Sequence, residues 1–393
     1  MPKTRIQTLN SISSQGLERF PADDYEVGSH VDQPDAIVLR SFKLHDYPIA
    51  ESVQAVARAG AGTNNIPLPE MSARGVPVFN APGANANAVK ELVLASLFLS
   101  ARQLKPAMAY TDSLNAEAND IAQSVEAAKK RFAGFELPGK TLGVVGLGAI
   151  GVEVCNAALL LGMQVIGYDP HMTVQRAWQL SSGVTEAESL GQMLGEVDML
   201  TLHVPLVAAT EGLISGPQLA AMKSSAVLIN LARGGIVDDT AAVKAVQNDE
   251  LACYVTDFPN AVTLGHDRVI NLPHLGASTA EAEQNCAVMV VETVRDYLEQ
   301  GNIRHSVNFP IARMPRVHDT WRLTVANQNV PNMVGQISTI LADAGLNIAD
   351  LLNKSRGELA YTIVDLDAPI DAEVVARLQA VAGVLRVRVL GRQ

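Results

Sequence analysis

Short apolar runs alternate along the chain with stretches whose apolar residues recur at helical spacing, which is the pattern of parallel α/β units. In the first 95 residues, positions 35–40 (Asp-Ala-Ile-Val-Leu-Arg) predict a strand, and positions 52–58 a helix running into Ala59-Gly-Ala-Gly62. A further strand is predicted at 75–80, closed by Ala81-Pro82-Gly83, and a long apolar-periodic helix at 87–102. A polar helix is expected over 118–131, ending in Lys129-Lys130-Arg131, where cations suit a helix C-terminus. From Gly143 the pattern predicts strands at 143–145, 164–168, 199–203, 227–230, 253–256 and 269–272. Six strands suit a doubly wound parallel-sheet dinucleotide-binding domain. Beyond Phe309-Pro310 the order becomes strand 321–326, helix 333–344, strands 348–354 and 358–366, helix 372–381 and strand 385–390. That is the split βαβ, ferredoxin-like βαββαβ order. With no nucleophile or ligand cluster in it, this last segment reads as a regulatory module, joined by a hinge near 311–320.

Composition narrows the class. A chain of 393 residues with 48% hydrophobic and 18% charged residues is an ordinary globular protein of two or three domains. The net charge of −11, with no long basic run, argues against nucleic-acid and membrane-surface partners. Cys155, Cys253 and Cys286 lack metal-ligand or CxxC spacing, so buried free thiols are expected and no metal. No signal-peptide core opens the chain, and no apolar stretch reaches the ~20 residues that span a bilayer, so a cytoplasmic location is expected.

The chemistry begins at Lys140-Thr-Leu-Gly-Val-Val-Gly146-Leu-Gly148-Ala149-Ile150-Gly151. A strand feeds three glycines that open a helix. The first makes the tight turn, the second admits a pyrophosphate, and the third lets helix and strand close up. Asp169 ends the next strand, where an acidic side chain accepts from the ribose hydroxyls and repels the extra phosphate of NADP, so the cofactor expected is NAD. Ligands of a parallel sheet gather at the carboxyl ends of its strands. There stand His203-Val-Pro205 with Thr210, Ala232-Arg233-Gly-Gly235, Asp257-Phe-Pro259 and Pro273-His274-Leu-Gly276. Oxidation of a 2-hydroxy acid by hydride transfer needs a base for the hydroxyl proton and a fixed cation for the carboxylate. Histidine and arginine supply these, so His274 is read as the acid/base and Arg233 as the substrate anchor. Asp257 is read as orienting the nicotinamide amide. Arg40 and Lys43 also lie past a strand end, where they serve either as anion ligands or as solvated loop charges.

These motifs together resemble the D-isomer-specific 2-hydroxyacid dehydrogenase family over almost the whole length. They include Arg58-Ala-Gly-Ala-Gly-Thr-Asn-Asn-Ile66, Leu202-His-Val-Pro205, Asn230-Leu-Ala-Arg-Gly-Gly235 and Pro273-His-Leu-Gly-Ala-Ser-Thr279. Arg40-Ser41 is similar to the phosphate-gripping loop of members that act on 3-phosphoglycerate, and the C-terminal segment is similar to an ACT domain. The resemblance implies a substrate-binding domain, flavodoxin-like and discontinuous, over 1–95 plus 283–312. It also implies an NAD-binding Rossmann domain over 96–282 and an ACT-like domain over 320–393. It places substrate contacts on Arg40, Ser41, Lys43, Ala61 and Gly62, and serine as effector on Asn327, Asn329 and Asn347. It further implies a homo-oligomer, dimer or tetramer. Related substrates (glycerate, lactate, 2-hydroxyglutarate) and a non-catalytic NAD(H)-sensing protein are the alternatives. One departure stands out. The family's Asp-x-Phe-x-x-Glu-Pro run supplies a Glu that pairs with the catalytic His. Here it reads Thr256-Asp-Phe-Pro-Asn-Ala-Val262, without the Glu, so either a different pH optimum or another group orienting His274 is expected.

Overall fold

The computed structural model describes residues 2–115 and 120–392 and divides into two compact units. One comprises the chain up to Asn85 together with the chain from Ala280 onward, and the other is Ala86–Thr279.

In the first unit, β1 (Thr4–Leu9), β2 (Tyr25–Gly28), β3 (Ala36–Leu39), β4 (Ala55–Arg58) and β5 (Val78–Phe79) form a parallel sheet ordered β2-β1-β3-β4-β5. This is the flavodoxin-like order. The helix expected over 52–58 is instead β4. Its Ala55, Val56 and Ala57 are fully buried between β3 and β5. A short apolar run buried on both faces shows no alternation, and alanine-rich sequence leans towards helix until tertiary pairing overrides it. The helix Ala280–Gln300 covers this sheet, with Val290, Val291, Val294 and Tyr297 buried against Ile6, Val38 and Phe79.

In the second unit, β6 (Thr141–Val145), β7 (Gln164–Tyr168), β8 (Val184–Glu186), β9 (Met199–Leu202), β10 (Val227–Asn230), β11 (Cys253–Thr256) and β12 (Val269–Asn271) form a parallel sheet. The order is β12-β11-β10-β9-β6-β7-β8, the doubly wound arrangement with its reversal between β6 and β9. The sheet has seven strands where six were expected. The additional β8 is a three-residue edge strand with Thr185 and Glu186 exposed, so it carries no apolar run to announce it. Helices Ala86–Ala101 and Ala149–Leu160 lend Val89, Val93, Leu97, Val152 and Cys155 to the core on one face. The polar helix is shorter than expected, Ile121–Ala128, with Lys129–Phe132 as a 3₁₀ turn; positions 118 and 119 lie outside the described residues.

The C-terminal part of the first unit is β13 (Trp321–Gln328), β14 (Ile348–Arg356), β15 (Leu359–Leu366) and β16 (Val384–Leu390), all antiparallel and ordered β14-β15-β13-β16. Helices Met333–Asp343 and Ala372–Gln379 bury Ile337, Leu341 and Leu378 on one sheet face. The other face puts Ala326, Tyr361 and Ile363 into the core shared with helix Ala280–Gln300. The segment read as a hinge is pinned rather than free. Ile303 and Ala312 exchange backbone hydrogen bonds, Met314 N–H donates to Asn302 Oδ1, and Val317 N–H donates to Asp365 Oδ2.

A buried ion pair organises this junction. Arg322 and Asp365 are both 0% exposed, joined by Nε–Oδ1 (2.7 Å) and Nη2–Oδ2 (2.8 Å). The remaining Arg322 donors reach the carbonyls of Gln300, Met314 and Pro315, at the end of the long helix and in the linker. Removing one partner leaves a buried charge without compensation. Asp365→Asn is therefore expected to cost about 3–5 kcal/mol, read as a lowered denaturant midpoint for the first unit. An unchanged midpoint would show that the pair does not hold the junction.

Candidate active site

The glycine loop follows directly from β6, whose Leu142, Val144 and Val145 are buried. Gly146 has φ +91°, and a Cβ there would meet the His203 carbonyl oxygen at 2.7 Å, so only glycine makes this turn. A Cβ on Gly151 would meet the Gly146 carbonyl oxygen at 2.0 Å, so the third glycine sets how closely the helix packs on the turn. Gly148 is the N-cap of helix Ala149–Leu160, and nothing lies within 4 Å of where its Cβ would stand. The first intrahelical bond is Val152 N–H to Gly148 O, which leaves the amides of Ala149, Ile150 and Gly151 without helical acceptors. A helix start of this kind, approachable by a phosphate over a glycine, fits a dinucleotide. Asp169 accepts Leu147 N–H and His171 N–H at 2.8 Å each, so it also fixes the loop. Each oxygen keeps a lone pair for a ribose hydroxyl.

Four loops at the carboxyl ends of β9 to β12 carry the rest. After β9, His203 bonds Thr201 Oγ1 through Nε2 at 3.0 Å, while its buried Nδ1 has no partner. Thr210 Oγ1 accepts Val207 N–H and donates to the Pro205 carbonyl, closing that loop. After β10, the buried Asn230 accepts Ala232 N–H and donates to the Arg233 carbonyl. The Arg233 side chain is exposed, touches only the Ala232 carbonyl, and pairs with no carboxylate among the described residues.

After β11 and β12 stand Asp257 and His274. Asp257 is 0% exposed, and its two oxygens accept Leu275 N–H (2.7 Å) and Gly276 N–H (2.8 Å). Its carbonyl accepts His274 N–H at 3.1 Å. It therefore shapes the His274 loop, and since each oxygen accepts a single N–H, a lone pair on each is left for the nicotinamide amide expected from the sequence. His274 sits in the left-handed region (φ +58°), which costs a non-glycine residue roughly 1–2 kcal/mol. The Asp257 bonds hold it there. No carboxylate pairs with the exposed imidazole among the described residues, Asp267 included. The Phe258 ring lies beside it instead, with centroids 5.0 Å apart and planes at 58°.

In the other unit, Arg40 directly follows β3. Its carbonyl accepts Arg58 Nε (2.8 Å) and Asn65 Nδ2 (3.0 Å), while Arg58 and Asn80 donate to the carbonyls of Gly62 and Ala61. The Arg40 loop and the 59–62 loop are thereby brought together. Ser41 and Lys43 are exposed, and Lys43 has no carboxylate partner among the described residues. Arg40 is ion-paired to Glu283 in the first turn of helix Ala280–Gln300. Nothing local in the sequence announces that pairing. Asn230 and Phe258 were also passed over, although an asparagine closing a buried apolar run is a usable signal for a turn clamp.

In the C-terminal sheet, Asn327 and Asn329 line a cavity of about 170 Å³ with Asn332, Met333 and Asn353. Asn327 is 0% exposed and its Oδ1 has no partner. Asn347 is not among the lining residues. Its N–H donates to Asp367 Oδ1 and its carbonyl accepts Asp367 N–H, so it closes the turn into β14. Among the described residues no cluster of metal-ligating side chains occurs, and no helix is long and apolar enough to cross a membrane.

Residues 99–276 match the family described as D-isomer specific 2-hydroxyacid dehydrogenase, NAD binding domain. The chain is 33% identical to the D-3-phosphoglycerate dehydrogenase of Haemophilus influenzae, over 99% of this chain and 95% of that protein. It is 36% identical to the D-3-phosphoglycerate dehydrogenase of Synechocystis, over 86% of this chain but 59% of that longer protein. Among solved structures, the NAD+-bound 3-phosphoglycerate dehydrogenase of Entamoeba histolytica superposes with a TM-score of 0.61 at 22% identity, covering 78% of this chain and 99% of that one.

Burial pushes the His203 imidazole down from 6.5 to about 4. Between those values the unfolded chain binds a proton that the folded chain refuses, so stability falls as pH drops through this window. The loss amounts to about 3 kcal/mol at most. His203→Gln is expected to flatten the stability curve between pH 6.5 and about 4. A curve of unchanged slope would mean that His203 is not held neutral.

Proposed function

This chain belongs to the D-isomer-specific 2-hydroxyacid dehydrogenase family, and we propose that it oxidises 3-phospho-D-glycerate to 3-phosphohydroxypyruvate, the first step of serine synthesis. The observation that carries this reading is the pair of strand-end loops in which Asn230 fixes Arg233 and Asp257 fixes His274. NAD supplies the hydride acceptor. The Arg233 fork takes the substrate carboxylate and steadies the carbonyl oxygen where charge develops. The His274 imidazole takes the hydroxyl proton as the carbon-bound hydrogen leaves with its electron pair, and returns it in the reverse direction. Gly146, Gly148, Ala149, Ile150, Gly151, Asp169, His203, Pro205, Thr210, Ala232, Asp257 and Gly276 are assigned to the cofactor. The backbone of Ala61 and Gly62 is assigned to the carboxylate, and Arg40, Ser41 and Lys43 to the phosphate.

The domain assignment proposed is 1–95 plus 283–312 for substrate, 96–282 for NAD, and 320–393 as an ACT-like regulatory module. Serine is the effector proposed for that module. The unpartnered Asn327 Oδ1 supports this, since it can accept from an ammonium group. Exposed Phe98, Met108, Ile121 and Val125 on neighbouring helices support a homo-oligomer, a dimer or tetramer. The three free cysteines support a reducing, cytoplasmic location.

Spectrophotometry of NADH formation with 3-phosphoglycerate, and of its consumption with phosphohydroxypyruvate, tests the reading. His274→Ala is expected to lower kcat roughly 10²–10⁴-fold with folding intact, and added serine to slow the full-length enzyme. Turnover of D-glycerate or lactate in preference to 3-phosphoglycerate would overturn the substrate assignment.

A further inference from the structure

We propose that Glu283 is a specificity-determining residue of this reaction: its carboxylate competes with the anionic tail of the substrate for the Arg40 guanidinium. The inference rests on the reading of Arg40 as the phosphate-gripping residue. Binding a phosphorylated substrate then means exchanging one anion on Arg40 for another.

Three features support an exchangeable pair. Arg40 has a fixed backbone, since Arg58 and Asn65 both hold its carbonyl, so its side chain is presented from a set position at the end of β3. Glu283 stands in the first turn of helix Ala280–Gln300, where the positive end of the helix favours an acidic side chain. The two side chains are 35% and 45% exposed, in contrast to the fully buried Arg322–Asp365 pair. A solvated pair of this kind is weak enough to open, whereas a buried one is structural. Cys286, one turn further along the helix and 5% exposed, lies within electrostatic range of Arg40, Arg58 and Glu283, which places these charges in one neighbourhood.

The chemistry of the competitors sets the outcome. The Glu283 carboxylate carries one charge and engages Arg40 through Nη1. A phosphate monoester carries about −1.5 to −2 and three acceptor oxygens, and it meets a guanidinium with two parallel bonds. It displaces the carboxylate. A neutral hydroxymethyl tail cannot, and leaves the pair closed. Glu283 therefore weakens every anionic tail by a common factor, free inorganic phosphate included, and leaves uncharged tails unaffected. Its effect is to keep ambient anions off Arg40 while a substrate held also at its other end can still take the place.

Steady-state kinetics of the full-length enzyme test this, with 3-phosphoglycerate and D-glycerate as substrates and inorganic phosphate as inhibitor. Glu283→Gln is expected to lower KM for 3-phosphoglycerate and Ki for phosphate together, by about 2–5-fold. The kcat and the KM for D-glycerate should stay unchanged. Glu283→Asp, which keeps the charge but withdraws it, should fall between, and it serves if the Gln variant folds poorly. Arg40→Ala should raise KM for 3-phosphoglycerate and Ki for phosphate together, and leave KM for D-glycerate unmoved. If Arg40→Ala leaves that KM untouched, the phosphate role of Arg40 fails and this inference falls with it. If Arg40→Ala raises it but neither Glu283 variant moves KM or Ki, the pair is merely structural and only this inference is overturned.

Discussion

The buried carboxylate of Asp257 is the constraint on which the catalytic arrangement depends. It accepts two consecutive backbone amides, Leu275 and Gly276, while its own carbonyl takes the amide of His274. Hydrogen bonds to a charged acceptor contribute about 1.5–3 kcal/mol each, which more than offsets the roughly 1–2 kcal/mol of a left-handed histidine. The loop is thus held in a conformation that His274 would not choose alone. The backbone of His274 is thus fixed, although no carboxylate among the described residues pairs with its ring. Phe258, next in sequence to Asp257, packs beside the imidazole, and its Cβ would sit 3.4 Å from any Cβ at Gly234. The same phenylalanine thus lies beside the arginine loop as well.

Much of this was legible in the sequence, and the exceptions share a cause. The βαββαβ order of the C-terminal sheet and most strands of the dinucleotide-binding fold were set by apolar periodicity and turn residues. The glycine spacing likewise pointed to the backbone geometry found at Gly146 and Gly151. Residues 55–58 misled because a strand buried on both faces has no alternation to read. Strand β8 was missed because an exposed three-residue edge has no apolar signal. Asp257 was placed correctly at a strand end, but its hold on the Leu275 and Gly276 amides was missed, since sequence does not show which way a carboxylate turns. Glu283 and Arg40, far apart in the chain, meet only because helix Ala280–Gln300 returns to the first sheet.

The C-terminal sheet gains its meaning from the same unit. Arg322 and Asn327 lie on one strand, β13, with Arg322 bonded to the end of helix Ala280–Gln300 and Asn327 in the small cavity. The opposite end of that helix carries Glu283. A strand, a buried ion pair and a helix thus connect the asparagine cavity to Arg40 through packed, hydrogen-bonded elements, and the pinned linker 311–320 adds no slack.

The central claim is that Asp257 holds the His274 loop. Amide hydrogen exchange of Leu275 and Gly276 measures it most directly, because the Leu275 side chain is 41% exposed and its amide has no strand partner. The account predicts that both amides exchange as slowly as those of β11, and that Asp257→Asn releases them while β11 stays protected. Exchange of Leu275 and Gly276 in the unaltered protein at the rate of an open surface loop would contradict it.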